Sequence, residues 1–219
     1  MPGLNHVDPG GEPLALPVAG PLSVTKLSVG PTDNNAYLLR SGTTSVLVDA
    51  AADEARLLAL TGPTLAGVVT THRHPDHWQA LSAVADATGA TLWCGRPDLS
   101  AIATGAWVEG LVGLWDGDEV PVGEQRLEVI GLVGHTPGSV ALAHTAADGV
   151  THLFTGDSLF PGGPGRTADA TDFTSLMDDL EEKVFGRFDD RTVVHSGHGD
   201  DTTLGAERPH LAEWRARGW

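Results

Sequence analysis

The stretch HRHPDH, residues 72–77, places three histidines and one aspartate within six consecutive positions. In extended backbone the side chains at positions i and i+2 face the same way, so His72 and His74 can reach one metal ion. Pro75 disfavours helical dihedrals at His74 and keeps this pair extended. Asp76 and His77 must then point elsewhere, toward a second ion. If the stretch is part of a metal site and not a histidine-rich polar turn, the fold must bring further ligands to it.

Residues of metal-ligand type also follow three other apolar runs. AGVVTT leads into His72, RLEVIGLVG into His135, THLFTG into Asp157 and RTVVHSG into His198. Loops that follow the strands of layered α/β folds gather at one place. We therefore expect these four positions to meet. Imidazole and carboxylate groups suit zinc, iron or manganese.

Each of these residues also has an ordinary structural interpretation. Asp76 could be the N-cap of a helix that begins at Trp78. His135 lies in GHTPGS, which is typical of a surface turn, Asp157 could cap a turn, and His198 lies in a glycine-rich loop. A metal centre accounts for all of them with one cause, whereas the alternatives need a separate explanation for each.

Short β-branched or apolar runs alternate with helix-period segments, which indicates a layered α/β domain. The predicted strands are Ser23–Val29, Ala36–Arg40, Ser45–Ala50, Ala66–Thr71, Arg126–Val133, Ser139–His144, Thr151–Gly156 and Arg191–Ser196. The predicted helices are Asp53–Leu60, Trp78–Thr88, Asp172–Phe185 and Leu204–Arg217. We expect residues 1–20 to form a loose, Pro/Gly-rich arm and residues 21–219 to form a single domain.

Composition narrows the choice of partners and compartment. The formal net charge of −16 repels phosphate backbones and argues against nucleic acid as a partner. No apolar run is long enough for a membrane span, and no secretory signal is evident, so we expect no membrane partner. Cys94 is the single cysteine, so an internal disulfide is impossible and a reducing cytoplasm is the simplest location. The oligomeric state is left open.

These motifs resemble the metallo-β-lactamase fold family, whose pattern His-x-His-x-Asp-His is matched by residues 72–77. GHTPGS, FTGDSLF and SGHG match the later motifs in the family's order. The resemblance implies an αββα sandwich of two mixed β-sheets flanked by helices. It implies a first metal held by His72, His74 and His135. It also implies a second metal held by Asp76, His77 and His198, with Asp157 bridging the two.

This ligand pattern is similar to that of the glyoxalase II-like branch. The resemblance implies a hydrolase in which two divalent ions, Zn²⁺ with iron or manganese as options, activate a hydroxide that cleaves a thioester or other ester-like bond. Asp76 would be catalytic, since it would both ligate a metal and orient the nucleophile. Antibiotic hydrolysis is not expected, because Asp157 stands where zinc β-lactamases commonly have cysteine. The alternatives are an iron-dependent persulfide dioxygenase, a lactonase and a non-catalytic metal-binding module.

The substrate is expected to be a small molecule. Residues 199–219 leave room for one helix, so we expect a short form without the C-terminal helical domain of long glyoxalase II enzymes. In the loop 161–171, Arg166 is the candidate contact for a substrate carboxylate, and an exposed arginine on a mobile loop is the alternative. Arg73 either supports the site electrostatically or faces solvent. The remaining histidines are expected outside the ligand set: His144 and His152 as surface or pairing residues, His195 in packing or behind a ligand, and His6 and His210 in solvent.

Overall fold

Two mixed β-sheets pack face to face in the computed structural model, which describes residues 4–62 and 64–218. The first sheet has seven strands in sequential order. The first four strands are antiparallel neighbours, and the last four are parallel neighbours. They are β1 (Leu14–Leu16), β2 (Ser23–Val29), β3 (Asn34–Ser41), β4 (Thr44–Val48), β5 (Leu65–Thr70), β6 (Thr91–Gly95) and β7 (Val112–Leu114).

The second sheet has six strands in the order β15-β14-β11-β10-β9-β8, and a two-stranded ribbon, β12 and β13, lies beside it. Within the six, only β11 and β14 run parallel. The bounds are β8 (Glu119–Val122), β9 (Gln125–Gly131), β10 (Val140–Thr145), β11 (Thr151–Gly156), β12 (Leu159–Phe160), β13 (Gly163–Pro164), β14 (Val193–Ser196) and β15 (Thr202–Thr203).

Helices cover the outer faces of both sheets. The α-helices are α1 (Glu54–Thr61), α2 (Leu81–Thr88), α3 (Leu99–Ala106), α4 (Ala170–Asp179), α5 (Leu204–Glu207) and α6 (Leu211–Arg217). A π-helical turn, Leu180–Phe185, continues α4, and 3₁₀ turns span Pro75–His77, Arg96–Asp98 and Arg208–His210. Helices α1 to α3 pack on the first sheet, and α4 and α6 pack on the second. The predicted αββα sandwich is confirmed.

The period-two pattern of the strands explains this layering. In β4, Val46 and Val48 face the other sheet, whereas Leu47 faces the helices of the first layer. In β10, Leu142 lies between the sheets and Ala141 lies beneath α4. Each fully buried Val or Leu side chain contributes about 1.5–3 kcal/mol relative to an exposed one. A one-residue slip in either strand would reverse these faces, so the core fixes the register that delivers the loops to the site.

Most predicted elements are present with small changes at their ends. The strands Ser23–Val29 and Thr151–Gly156 match their predicted bounds. The helix predicted from Trp78 begins instead at Leu81, because Pro75 starts a 3₁₀ turn, and Ala80 is its N-cap. The alternative interpretation of Asp76 as the N-cap of this helix therefore does not hold. The predicted helix Leu204–Arg217 divides around Pro209, whose ring disrupts a continuous α-helix.

The predicted N-terminal arm is partly built into the fold. Leu14–Leu16 pairs with β2 as an edge strand, and Leu4 makes an isolated bridge to Asp201, so the arm is not loose at these points. Residues 1–3 of the arm lie outside the described residues. Within the described part of the chain, no helix combines the length and apolar character needed to cross a membrane.

Candidate metal centre

The loops that follow β5, β9, β11 and β14 bring all seven predicted ligands to one edge of the sandwich. On one side, His72 Nε2 lies 3.1 Å from His74 Nδ1, and His74 Nδ1 lies 2.9 Å from His135 Nε2. His72 is completely buried, whereas His74 and His135 line the approach from solvent. The three rings meet nearly edge to face. His72, His74 and His135 form the first triad.

A second triad forms from Asp76, His77 and His198. The Nε2 atoms of His77 and His198 lie 3.2 Å apart, and Asp76 Oδ2 lies 3.4 Å from His198 Nε2. Asp157 stands between the triads. Its Oδ1 is 3.3 Å from His77 Nε2, and its Oδ2 is 3.6 Å from His135 Nε2. A single carboxylate therefore faces both groups.

The donor set fits divalent cations. A neutral imidazole has one N–H donor, and His135 uses Nδ1 to donate to the Arg166 carbonyl at 2.6 Å. His198 likewise uses Nδ1 for the Thr32 carbonyl at 2.8 Å. Their Nε2 lone pairs consequently face the site, where His135 Nε2 lies 2.9 Å from His74 Nδ1 and His198 Nε2 lies 3.2 Å from His77 Nε2. Asp157 Oδ1 is buried and has no hydrogen-bond partner. Converging lone pairs and an orphaned carboxylate oxygen are the environment that a metal ion satisfies.

The electrostatics agree with this interpretation. Burial lowers the pKa of His72 well below its ordinary value, so its ring stays neutral and available as a ligand. Burial alone would raise the pKa of Asp157, but His198 and His77 hold it far below the usual range. Burial also opposes the charged form of His77, yet the carboxylates of Asp49 and Asp157 raise its pKa to about 10. The two carboxylates thus give this end of the site a negative potential that favours a cation.

Three buried polar residues outside the predicted ligand set hold the ligand loops: Asn34, Asp49 and Asp98. Asp49 accepts hydrogen bonds from the backbone and hydroxyl of Thr71 and from His77 Nδ1, each at 2.8 Å. Asn34 Nδ2 donates to the Oδ2 and the carbonyl of Asp76, both at 3.0 Å. Such partners fix the orientation of ligands and tune their basicity.

Asp98 connects the two loops of the first triad. Its Oδ2 accepts from Arg73 N at 3.0 Å and from Thr136 Oγ1 at 2.5 Å, and its Oδ1 accepts from Gly138 N at 3.1 Å. Its side chain is fully buried, so these donors replace water around the carboxylate. Asp98 thereby sets the spacing between the His72–His74 loop and the His135 loop.

A groove of about 380 Å³ opens beside the first triad, lined by Arg73, His74, His135, Arg166, Thr167 and Ala168. The Arg166 side chain is exposed, while its backbone carbonyl holds His135. Arg73 is 45% exposed along its side chain and lies 4.0 Å from Asp98. Both arginines thus flank the path to the site.

Most of the other histidines match their expected surroundings. His144 and His152 are buried cross-strand partners, which is the pairing role of the two roles expected for them. His195 is buried as well, and its ring binds His152 at 3.0 Å and Asp201 at 2.7 Å. His6 binds Asp200 at 2.6 Å, so it does not simply face solvent. His210 is on the surface as expected, near Glu213.

The αββα sandwich and its histidine–aspartate cluster define a metallo-hydrolase architecture. Residues 29–202 match the family described as the metallo-beta-lactamase superfamily. The chain belongs to this superfamily, and the resemblance seen in the motifs is confirmed.

Relatives and solved structures agree with this membership. The chain is 33% identical to an uncharacterized protein of Mycobacterium leprae (strain TN), over 84% of this chain and 95% of that protein. It is 34% identical to a hydroxyacylglutathione hydrolase of Jannaschia sp. (strain CCS1), over 76% of this chain and 62% of that enzyme.

Two crystal structures have the same fold. BLEG-1 B3 metallo-beta-lactamase superposes with a TM-score of 0.73 at 27% identity, covering 86% of this chain and 97% of that one. TTHA1623 in a di-iron-bound form superposes with a TM-score of 0.69 at 31% identity, covering 84% and 96%.

Proposed function

We propose that this protein is a glyoxalase II-like metallo-hydrolase that uses two divalent ions, most simply Zn²⁺, to cleave a thioester or other ester-like bond. The observation that carries the proposal is the pair of triads that share the Asp157 carboxylate. A purely structural zinc site is closed by four ligands and needs no bridging carboxylate. The likeness to a hydroxyacylglutathione hydrolase supports the choice of a thioester.

The ligand assignment follows from the triads. His72, His74 and His135 would hold one ion, and Asp76, His77 and His198 would hold the other, with Asp157 shared. Two ions in this arrangement would supply Lewis acidity toward a carbonyl oxygen and lower the pKa of a bound water. TTHA1623, which is described in a di-iron-bound form, is a relative with two metal ions.

The chain's own residues then have separate roles. Asn34 holds Asp76 Oδ2 at 3.0 Å, which orients that carboxylate so that it can accept a hydrogen bond from the attacking water. Asp157 stays ionised, because its neighbours keep its pKa low. Arg166, at the groove beside His135, would bind an anionic group of the substrate. Asp49 keeps His77 in the orientation that presents Nε2 to the site.

Elemental analysis followed by turnover assays tests this function. Purified protein should contain two zinc ions per chain and hydrolyse S-lactoylglutathione or a simple lactone. Asp157→Ala should lose two-metal binding together with turnover. Full activity of that variant with two ions still bound would contradict the assignment. One iron per chain with oxygen uptake on glutathione persulfide would instead favour a persulfide dioxygenase, and bound metal without turnover would favour a binding module.

A further inference from the structure

A charged pair with no exposed side-chain surface lies behind the second triad. Lys26 Nζ is 2.8 Å from Asp201 Oδ1, and both side chains are completely buried. Lys26 belongs to β2 in the first sheet, whereas Asp201 lies between β14 and β15 in the second. Because alternate residues of a strand share a face, Lys26 points the same way as Val24, into the space between the sheets. The pair therefore links the two sheets at the metal-site edge.

The pair holds the loop 196–201, which carries His198. Lys26 Nζ also donates to the Gly199 carbonyl at 2.6 Å, one residue beyond His198. The second oxygen of Asp201 binds His195 Nδ1 at 2.7 Å. Lys26 thus binds the loop at two points, Gly199 and Asp201, and His195 on the preceding strand β14 binds Asp201.

Two further residues of the first sheet donate hydrogen bonds to the same loop. Asn35 Nδ2 donates to the carbonyls of Ser196 at 2.9 Å and Gly199 at 3.0 Å. Tyr37 Oη donates to the Ser196 carbonyl at 2.6 Å. The loop of the second sheet is consequently held by donors from the first, and His198 projects from a backbone that is constrained on both sides.

Stability alone does not account for a buried lysine here. Desolvating two charges offsets most of their attraction, so an apolar pair of similar volume is often equally stable or more stable. What an apolar pair could not do is donate to the Gly199 carbonyl, which would then keep Asn35 Nδ2 as a donor and lose the link to β2. The contacts of Lys26 are therefore better explained by the geometry that they impose on the His198 loop.

We propose that Lys26, acting with Asp201, is a positioning residue that fixes His198 for the second metal ion. The inference rests on the proposed function, because it takes His198 as a ligand of that ion. It predicts a selective defect. Loss of Lys26 weakens binding of the second ion and leaves binding of the first ion unchanged, because the three histidines of the first triad lie on other loops.

Titration of metal-free protein with Zn²⁺ against a competing chelator measures the two dissociation constants separately. In Lys26→Met one of the two dissociation constants should rise about 10–100-fold, the usual range for loss of an outer-shell partner, while the other stays within about threefold. Lys183→Met is a matched control. Lys183 is partly exposed and also contacts a backbone carbonyl, that of Gly131, and a carboxylate, that of Asp179, but these lie at the start of the His135 loop and not on the His198 loop.

The inference would be overturned if both dissociation constants rose equally or if neither changed. It would also be overturned if Lys183→Met showed the same selective rise. Should Lys26→Met not fold, Asp201→Asn provides the same test, because it removes the charge that holds Lys26 Nζ and retains an oxygen acceptor. The selective rise is again expected, and its absence counts against the proposal. A wild-type protein that binds one ion would refute the two-metal function instead, which keeps the two failures distinguishable.

Discussion

Asp49 Oδ2 lies 2.8 Å from His77 Nδ1, and both side chains are buried. Asp49 follows β4 with a left-handed backbone, φ 60°, which turns its carboxylate toward the 3₁₀ turn that carries His77. The contact determines which ring nitrogen carries the proton and leaves Nε2 for the site. The same carboxylate binds the Thr71 backbone at 2.8 Å, directly before His72. One residue outside the predicted ligand set thus orients both triads.

Replacing Asp49 with Asn should lower metal affinity or turnover about 10–100-fold, because the charge that orients His77 is lost. Asn tolerates the left-handed backbone, so the change isolates the carboxylate. Zinc content and turnover measure the effect. Asp53→Asn is the control, since Asp53 has the same left-handed backbone, φ 53°, but lies away from the triads. An equal loss in both variants would point to backbone strain.

Gly197 touches the site so closely that any side chain disturbs it. A Cβ atom there would lie 2.1 Å from Asp157 Oδ1 and 2.8 Å from His77 Cε1. Gly197→Ala should therefore displace the bridging carboxylate and reduce turnover on the order of 10²-fold, the effect of a shift of roughly 1 Å at a reacting centre. Gly149→Ala is the comparison for backbone strain alone, because its φ of 80° disfavours alanine while its Cβ meets no atom within 4 Å, so it should lower stability and leave turnover unchanged. Retained turnover in Gly197→Ala would show that Asp157 is not needed at its present position.

The seven candidate ligands could be predicted because they lie in short motifs at strand ends. The residues that orient them are single polar side chains without a motif. Asp49 follows the apolar run SVLV, so the rule that found Asp157 after THLFTG could have found it too. Asp98 gave no such signal, because an aspartate before a helix usually acts as a cap. Its three hydrogen bonds depend on loops that are distant in sequence.

The strands and helices that could be predicted are likewise those determined by the local sequence, whereas those determined by packing with distant residues were missed. Long alternating strands were predicted because the period-two pattern is local. The edge strands Leu14–Leu16 and Glu119–Val122 were missed, since each is short and the second contains Pro121. The helix Leu99–Ala106 was missed as well, because its alanines and Gly105 give little periodic contrast. Its position against the first sheet is fixed by packing, which the segment alone does not reveal.

His152 should make the folded protein sensitive to mild acid. Burial, together with the neighbouring His195 and His144, lowers its pKa from 6.5 to about 4. Between those values the unfolded chain binds the proton and the folded chain does not, so this contribution to stability is lost as the pH falls from 6.5 toward 4. His152→Gln should flatten that part of the curve of unfolding free energy against pH, measured by denaturant melts of metal-free protein. A curve parallel to that of the wild type would contradict the assignment.

Arg166 provides the test of substrate charge. If its guanidinium binds an anionic group of the substrate, Arg166→Met should raise KM about 10–100-fold for an anionic thioester and leave kcat nearly unchanged, because a charged hydrogen bond contributes about 1.5–3 kcal/mol to binding. A neutral thioester should show no such rise. Arg40→Met is the control, since Arg40 is also exposed but lies near the far end of β3 from Asn34. A fall in kcat with KM unchanged would mean that Arg166 acts through the His135 loop, which its carbonyl holds, and not through substrate binding.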